Sequence, residues 1–321
     1  MDAPRHPLDE QALDAAAIFA SIIIPSLNQE SFVADCLRSV TSQEGASFEI
    51  IFVDGGSTDA TLEIAKPFCG AMAHFISEPD HGQADAINKG LRLARGELVT
   101  WLNADDFLEP GALAAMRDAA EGNSRAPFYI GLGSRTNREG TTRAPFYPAN
   151  FRFNREALLW GLNYVLQPAT FIRRAALGRI GGSVDSSLHY AFDTDLWIRL
   201  SGLGEPALVM SSVACSREYP ETKTARGAWP RLMEIQQVAQ RATGARVTPG
   251  VLAELMRLLH EQLLWDPHVG TRFPANADEM VMALWAVAAE ALRDLSGRTD
   301  GFPVAEKVGD HHATGPAVKP G

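Results

Sequence analysis

"FEIIFVDGGSTDAT", Phe48 to Thr61, decides how this chain is read. The apolar run Ile50 to Val53 ends on Asp54, two glycines follow, and then Ser57 and Thr58. Such a run is the pattern of a strand buried on both faces, the glycines turn the chain, and Ser57 or Thr58 can cap a helix. Upstream, "ASIIIPSL" reads as another buried strand, and "SFVADCLRSVTSQ" places Phe32, Cys36, Leu37 and Val40 on one helical stripe. Downstream, "AHFIS" reads as a third strand, "GQADAINKGLRLARG" as a helix with Gly96 as its C-cap, and "ELVTWLNADD" as a fourth strand. Buried strands alternating with amphipathic helices predict an α/β fold with a parallel sheet flanked by helices. In such sheets ligands bind beyond the carboxyl ends of the strands. The segments to inspect are therefore Pro25 to Asn28, Asp54, Glu78 to Gln83, and Asn103 to Asp106.

The middle third reads as α+β, with Gly-rich and Arg-rich turns around Gly131 to Arg143. From Gly227 on, three helix patterns follow, the last of them "DEMVMALWAVAAEALRDL". The expected organisation is an N-terminal extension over 1–17, an α/β domain over 18–226, a helical region over 227–300 and a mobile tail over 301–321.

Composition excludes several classes. The 321 residues carry a net charge of −10, and no Lys/Arg cluster offers a footprint for nucleic acid. Cys36, Cys69 and Cys215 are widely spaced, which fits a reducing compartment and neither a disulfide framework nor a zinc site. The first twenty residues lack a signal-peptide pattern, and the apolar window Met280 to Leu292 is too short to span a bilayer and contains Glu290. A cytoplasmic protein is expected, with any membrane contact peripheral and through the C-terminal helices, whose apolar faces also suit a homodimer.

Three constellations carry chemistry. In "NADD", Asp105 and Asp106 place two carboxylates side by side after a strand, an arrangement that calls for a positive partner. Hard cations such as Mn²⁺ or Mg²⁺ suit them; the competing reading is an N-cap for a helix beginning near Glu109. Asp54 before Gly55 and Gly56 suits a base or ribose, or else an ordinary βα turn. In "YAFDTDLWIRL", Leu196, Trp197 and Leu200 lie three, four and seven residues after Asp193, so that carboxylate falls on the apolar face of a helix, where desolvation raises its pKa toward that of a general base. Asp195 points away and can pair with Arg199; helix-end stabilisation is the competing role for Asp193. "REYPETKT" adds Arg217 and Lys223 as candidate diphosphate contacts.

Taken together, "SIIIPSLNQESFVADCLRSVTSQ", "FEIIFVDGGSTDAT", "EPDHGQADAINKGLRLARGELVTWLNADD" and "FDTDLWIRL" resemble the family 2 inverting bacterial glycosyltransferases of the GT-A fold, over about Ala20 to Thr224. The resemblance implies a Rossmann-like, mostly parallel sheet and a hexosyltransferase using a nucleotide-diphosphate sugar donor, a UDP-sugar foremost, with a saccharide or lipid-linked acceptor. It further implies that Pro25, Asn28 and Asp54 line the nucleoside pocket and that Gln83, Asn103, Ala104, Asp105 and Lys223 meet the sugar nucleotide. The metal falls to Asp105 and Asp106, and catalysis to Asp193. Asn103 stands where the family's DxD motif has its first aspartate, which removes one negative charge near the metal; Gly55 replaces the second acid of "VDDGS", and Tyr219 and Thr222 replace His and Ser of "HPxSKT". Asn103 motivates an alternative, a non-catalytic nucleotide-sugar binding protein that keeps the fold without the metal. A nucleotidyltransferase is disfavoured because "PSLNQES" carries no basic residue.

Overall fold

β1 (Ala20–Ser26) is buried from end to end, as its run of isoleucines requires. α1 (Val33–Thr41) follows, turning Val33, Cys36, Leu37 and Val40 inward. β2 (Phe48–Asp54) and α2 (Thr61–Ala65) form the second βα unit, and a 3-10 turn over Lys66–Ala71 leads to β3 (His74–Ser77). α3 (Gln83–Leu93), β4 (Leu98–Trp101), the two-residue β5 (Phe107–Leu108) and α4 (Ala112–Gly122) come next. The chain continues through β6 (Phe128–Thr136), β7 (Arg143–Pro145), α5 (Arg155–Leu159), β8 (Thr170–Arg173) and α6 (Arg174–Arg179). It closes with α7 (Phe192–Ser201), β9 (Ala207–Arg217), α8 (Lys223–Arg226), α9 (Ala228–Thr243) and α10 (Pro249–Trp265).

The computed structural model describes residues 17–265, apart from 142, 148–150 and 246. The chain divides into two units, Met1–Leu259 and His260–Gly321, the second lying almost wholly outside the described residues. The expected helix over 278–295, the tail and nearly all of the N-terminal extension fall outside them too. No helix among the described residues is long and apolar enough to cross a membrane.

One sheet runs in the order β3-β2-β1-β4-β8-β6-β9-β5, with β7 paired to β6. The first four strands are parallel, and their register sets Ser26 level with Asp54 and Asp54 level with Ser77. Their carboxyl ends therefore form one edge. β8 joins antiparallel to both β4 and β6, β9 runs parallel to β6, and β5 is antiparallel to β9.

Several local expectations are corrected. The expected turns from Gly131 are strand as far as Thr136, because Gly131 and Gly133 let β9 close in: a Cβ on Gly131 would lie 2.3 Å from Val213 Cγ2, and one on Gly133 2.3 Å from the Ala214 carbonyl oxygen. α3 stops at Leu93, so Gly96 is no cap; a Cβ there would lie 2.5 Å from the Ser21 backbone nitrogen. Neither Ser57 nor Thr58 caps α2; Asp59 accepts from the Thr61 N–H at 3.0 Å instead. The fourth strand ends at Trp101, one residue before Leu102, and "NADD" follows the strand in a loop, as expected.

The core holds α7 against the sheet through stacked aromatic rings. Trp197 of α7 lies 5.8 Å from Trp101 of β4, the rings nearly parallel at 4°, and 5.9 Å from Phe128 of β6. All three are buried. Such stacking adds to what their area alone supplies and fixes the helix's direction.

Candidate active site

The "NADD" loop is braced by Arg217 from the end of β9, whose guanidinium bonds the Asp105 carbonyl and the Asp35 side chain and neither carboxylate of the adjacent pair. The Arg217 backbone N–H donates to Asp106 Oδ1 at 2.9 Å, its Nη1 to the Asp105 carbonyl at 2.6 Å and its Nη2 to Asp35 Oδ2 at 2.9 Å. The guanidinium lies 5.0 Å from the ring centres of Phe32 and Phe107. Arg217 is only 5% exposed, so it braces the loop from within and does not face a diphosphate. Asp106 is buried as well, and burial, then the neighbouring Asp105 charge, pushes its carboxyl up to about 8. Asp105 is partly exposed; burial raises its pKa against the Tyr219 hydroxyl, which donates to Oδ2 at 2.9 Å, and the Arg217 charge.

Asn103 and Gln83 interlock beside this loop. Gln83 Nε2 donates to Asn103 Oδ1 at 2.6 Å, and Lys223 Nζ donates to Gln83 Oε1 at 2.9 Å. Asn103 Nδ2 faces Asp106 Oδ2 at 3.2 Å and Gln167 Oε1 at 3.5 Å. Thus Lys223, Gln83 and Asn103, which are 140 and 20 residues apart in sequence, form one hydrogen-bonded string. Ala104 is buried behind it.

Asp193 stands in the first turn of α7, partly exposed. Asn163 Nδ2 donates to its Oδ2 at 2.8 Å, and the Thr194 N–H donates to Oδ1 at 2.6 Å. Burial nevertheless raises its pKa, as a general base requires. Lys223 lies within its field: burial brings the ammonium down to about 8, and the charges of Asp193 and Glu234 oppose that shift. Asp195 pairs with Arg199 at 2.7 Å on the other side of the helix.

Pro25, Asn28 and Asp54 gather at the ends of β1 and β2. Pro25 is buried opposite Val53. Asn28, at φ +53°, ties two loops together: its backbone N–H donates to Ser57 Oγ at 2.8 Å and its side-chain Oδ1 accepts from the Thr58 N–H at 2.9 Å. Asp54 is fully buried. Its carboxylate accepts from the Gly56 and Ser57 N–H groups, each at 3.0 Å, from Ser77 Oγ at 2.9 Å and from the Ser57 hydroxyl. It organises the loop instead of pointing out of it. Phe32, four residues after Asn28, lies against the other cluster, its ring 5.2 Å from that of Tyr219.

Among the described residues no group of three or more His, Cys, Asp or Glu side chains is placed to hold a metal. Of the two adjacent carboxylates Asp105 is the partly exposed one, with its Oδ2 taking the Tyr219 hydroxyl, and Asp106 is turned inward. One carboxylate fits a hard cation whose remaining ligands are phosphate oxygens and water. Asn163 and Gln167 were not singled out in the sequence; their roles come from partners 30 and 64 residues away, and no local pattern announces them.

The fold is that of the GT-A glycosyltransferases. The structure of Staphylococcus aureus TarS 1-349 in complex with UDP-GlcNAc superposes with a TM-score of 0.56 at 17% identity, covering 86% of this chain and 80% of that one. The chain covers 49% of the longer TarS structure. The mannosyltransferase PcManGT from Pyrobaculum calidifontis, in complex with GDP-Man and Mn²⁺, gives 0.54 at 19% identity, covering 88% and 77%. The family model described as glycosyl transferase family 2 matches residues 21–181, and the chain belongs to that family. A PGL/p-HBAD biosynthesis glycosyltransferase of Mycobacterium bovis is 35% identical over 202 residues, 60% of this chain and 73% of that protein. The protein is a glycosyltransferase.

Proposed function

We propose that this protein is a cation-dependent, inverting glycosyltransferase that moves a sugar from a nucleoside-diphosphate sugar, a UDP-sugar foremost, to an acceptor hydroxyl in polysaccharide or glycolipid assembly. The observation that carries the reading is the string Lys223–Gln83–Asn103 with Asp193 beside Lys223: a cation and two amides for a sugar diphosphate, next to a base. The UDP-GlcNAc complex of TarS and the GDP-Man and Mn²⁺ complex of PcManGT support the donor class, and the mycobacterial relative's name supports glycan assembly.

Asp193 takes the proton of the acceptor hydroxyl as its oxygen attacks the anomeric carbon. The bond from that carbon to the diphosphate breaks on the opposite face, the electron pair leaving with the nucleoside diphosphate, so configuration inverts in one displacement. Lys223 meets the departing charge, while Gln83 and Asn103 orient the sugar by hydrogen bonds. A divalent cation held by Asp105 and the donor's phosphates would supply further charge stabilisation. Residues 18–226 are taken as the catalytic domain.

Thermal-shift titration against UDP- and GDP-sugars tests the donor. A saturating donor is expected to raise the midpoint by roughly 5–10 °C, more so with Mn²⁺. NMR of the product is expected to show the inverted anomer; a retained anomer, or indifference to every nucleotide sugar, contradicts the reading.

A further inference from the structure

Glu234 lies in the middle of α9, in "RLMEIQQ", where a carboxylate has no local reason to be anything but solvated. It is partly buried and grips three successive backbone N–H groups. His189 N–H donates to its Oε1 at 2.8 Å, and Tyr190 and Ala191 N–H donate to its Oε2 at 2.5 and 3.0 Å. These residues lead directly into α7, whose N-cap, Ala191, has no capping side chain. A carboxylate there satisfies amides and complements the positive end of the helix.

The clamped segment bears on both halves of the site. Asp193 follows Ala191 by two residues, and the rings of Tyr190 and Phe192 lie 5.8 and 5.1 Å from Lys223 Nζ. α9 is itself well anchored: Leu232, Ile235, Val238 and Ala239 are buried, and Arg231 pairs with Glu254 of α10. Ile235 also packs against Gly161, where a Cβ would approach its Cγ2 to 2.9 Å, two residues before the Asn163 that donates to Asp193.

We propose that Glu234 is a positioning residue for glycosyl transfer: it fixes the segment His189–Ala191, and through it Asp193 and the aromatic platform under Lys223. This rests on Asp193 being the base. It extends the working enzyme beyond residue 226 into α9.

The test uses the full chain and four variants. Glu234→Ala and Glu234→Gln are expected to lower kcat roughly 10- to 100-fold, the cost of a small misplacement of a reacting group. The loss is expected chiefly in kcat, with a smaller rise in donor KM because Lys223 loses the Glu234 charge and the firm placement of the rings beneath it, and Glu234→Asp, which keeps the carboxylate, recovers part of the loss. Circular dichroism and melting midpoints identify the folded variants that enter the comparison. A kcat within about twofold of the parent in folded Glu234→Ala or Glu234→Gln overturns the proposal, as does a loss of kcat that Glu234→Asp does not relieve. Asp193→Asn separates the two readings: turnover surviving in Asp193→Asn sinks the base, whereas a dead Asp193→Asn beside an unaffected Glu234→Gln sinks only the clamp.

Discussion

Asn103 accepts a hydrogen bond at one end of its amide and donates at the other, and this explains why an amide can serve where an acid is expected. Its Oδ1 receives Gln83 while its Nδ2 faces the Asp106 carboxyl at 3.2 Å. Asn103→Asp sets two oxygens against each other there. A proton on Asp106 can bridge them, and burial holds that carboxyl up to about 8. Asn103→Asp is therefore expected to be tolerated at pH 6 and to cost about 1–3 kcal/mol at pH 9, where the proton is gone. Urea unfolding of variant and parent at both pH values measures this; an equal cost at the two would contradict it. At this scale the sequence makes Gln83, Asn103, Asp105, Asp193 and Lys223 readable, because each belongs to a motif tied to the end of an element. Asn163, Gln167 and Glu234 act across 30 to 64 residues, and nothing beside them in the chain marks their role.

Elements were legible where burial repeats with a clear period. β1, β2, β4 and the buried stripe of α1 follow from apolar patterning alone. β6 did not, because its glycines read as turn when they serve close approach: β9 lies so near that a Cβ on Gly133 would meet both the Ala214 carbonyl and Leu166 Cδ2, at 2.3 and 2.4 Å. The first of those is backbone and cannot swing aside. Gly133→Ala is expected to destabilise the fold by about 1–3 kcal/mol, as overpacking does, read from the denaturant midpoint. A neutral result would mean that β6 and β9 separate at little cost. The antiparallel attachment of β8 was equally hidden, since strand pairing across more than 70 residues is set by the fold's topology.

The whole molecule carries a net charge of −10, yet its proposed donor is an anion. Binding must then rely on cations held locally against the overall field. Lys223 is the clearest, and burial leaves its ammonium at about 8, so near pH 8 it is partly deprotonated without ligand. A diphosphate beside it restores the charge, and nucleotide binding takes up a proton. Calorimetry of UDP binding at pH 8 in buffers of differing ionisation enthalpy is expected to show that uptake, and Lys223→Met to abolish most of it. Binding enthalpies independent of buffer would remove Lys223 from the diphosphate.

Transfer at this site depends most on Asp193 as the group that takes the acceptor's proton. Steady-state turnover and donor affinity of Asp193→Asn, measured side by side, test it directly. The expected result is a fall in kcat of about 10²- to 10⁴-fold with the donor Kd within a few-fold of the parent. Turnover near the parent's, or donor binding lost in proportion to activity in a folded variant, would contradict it.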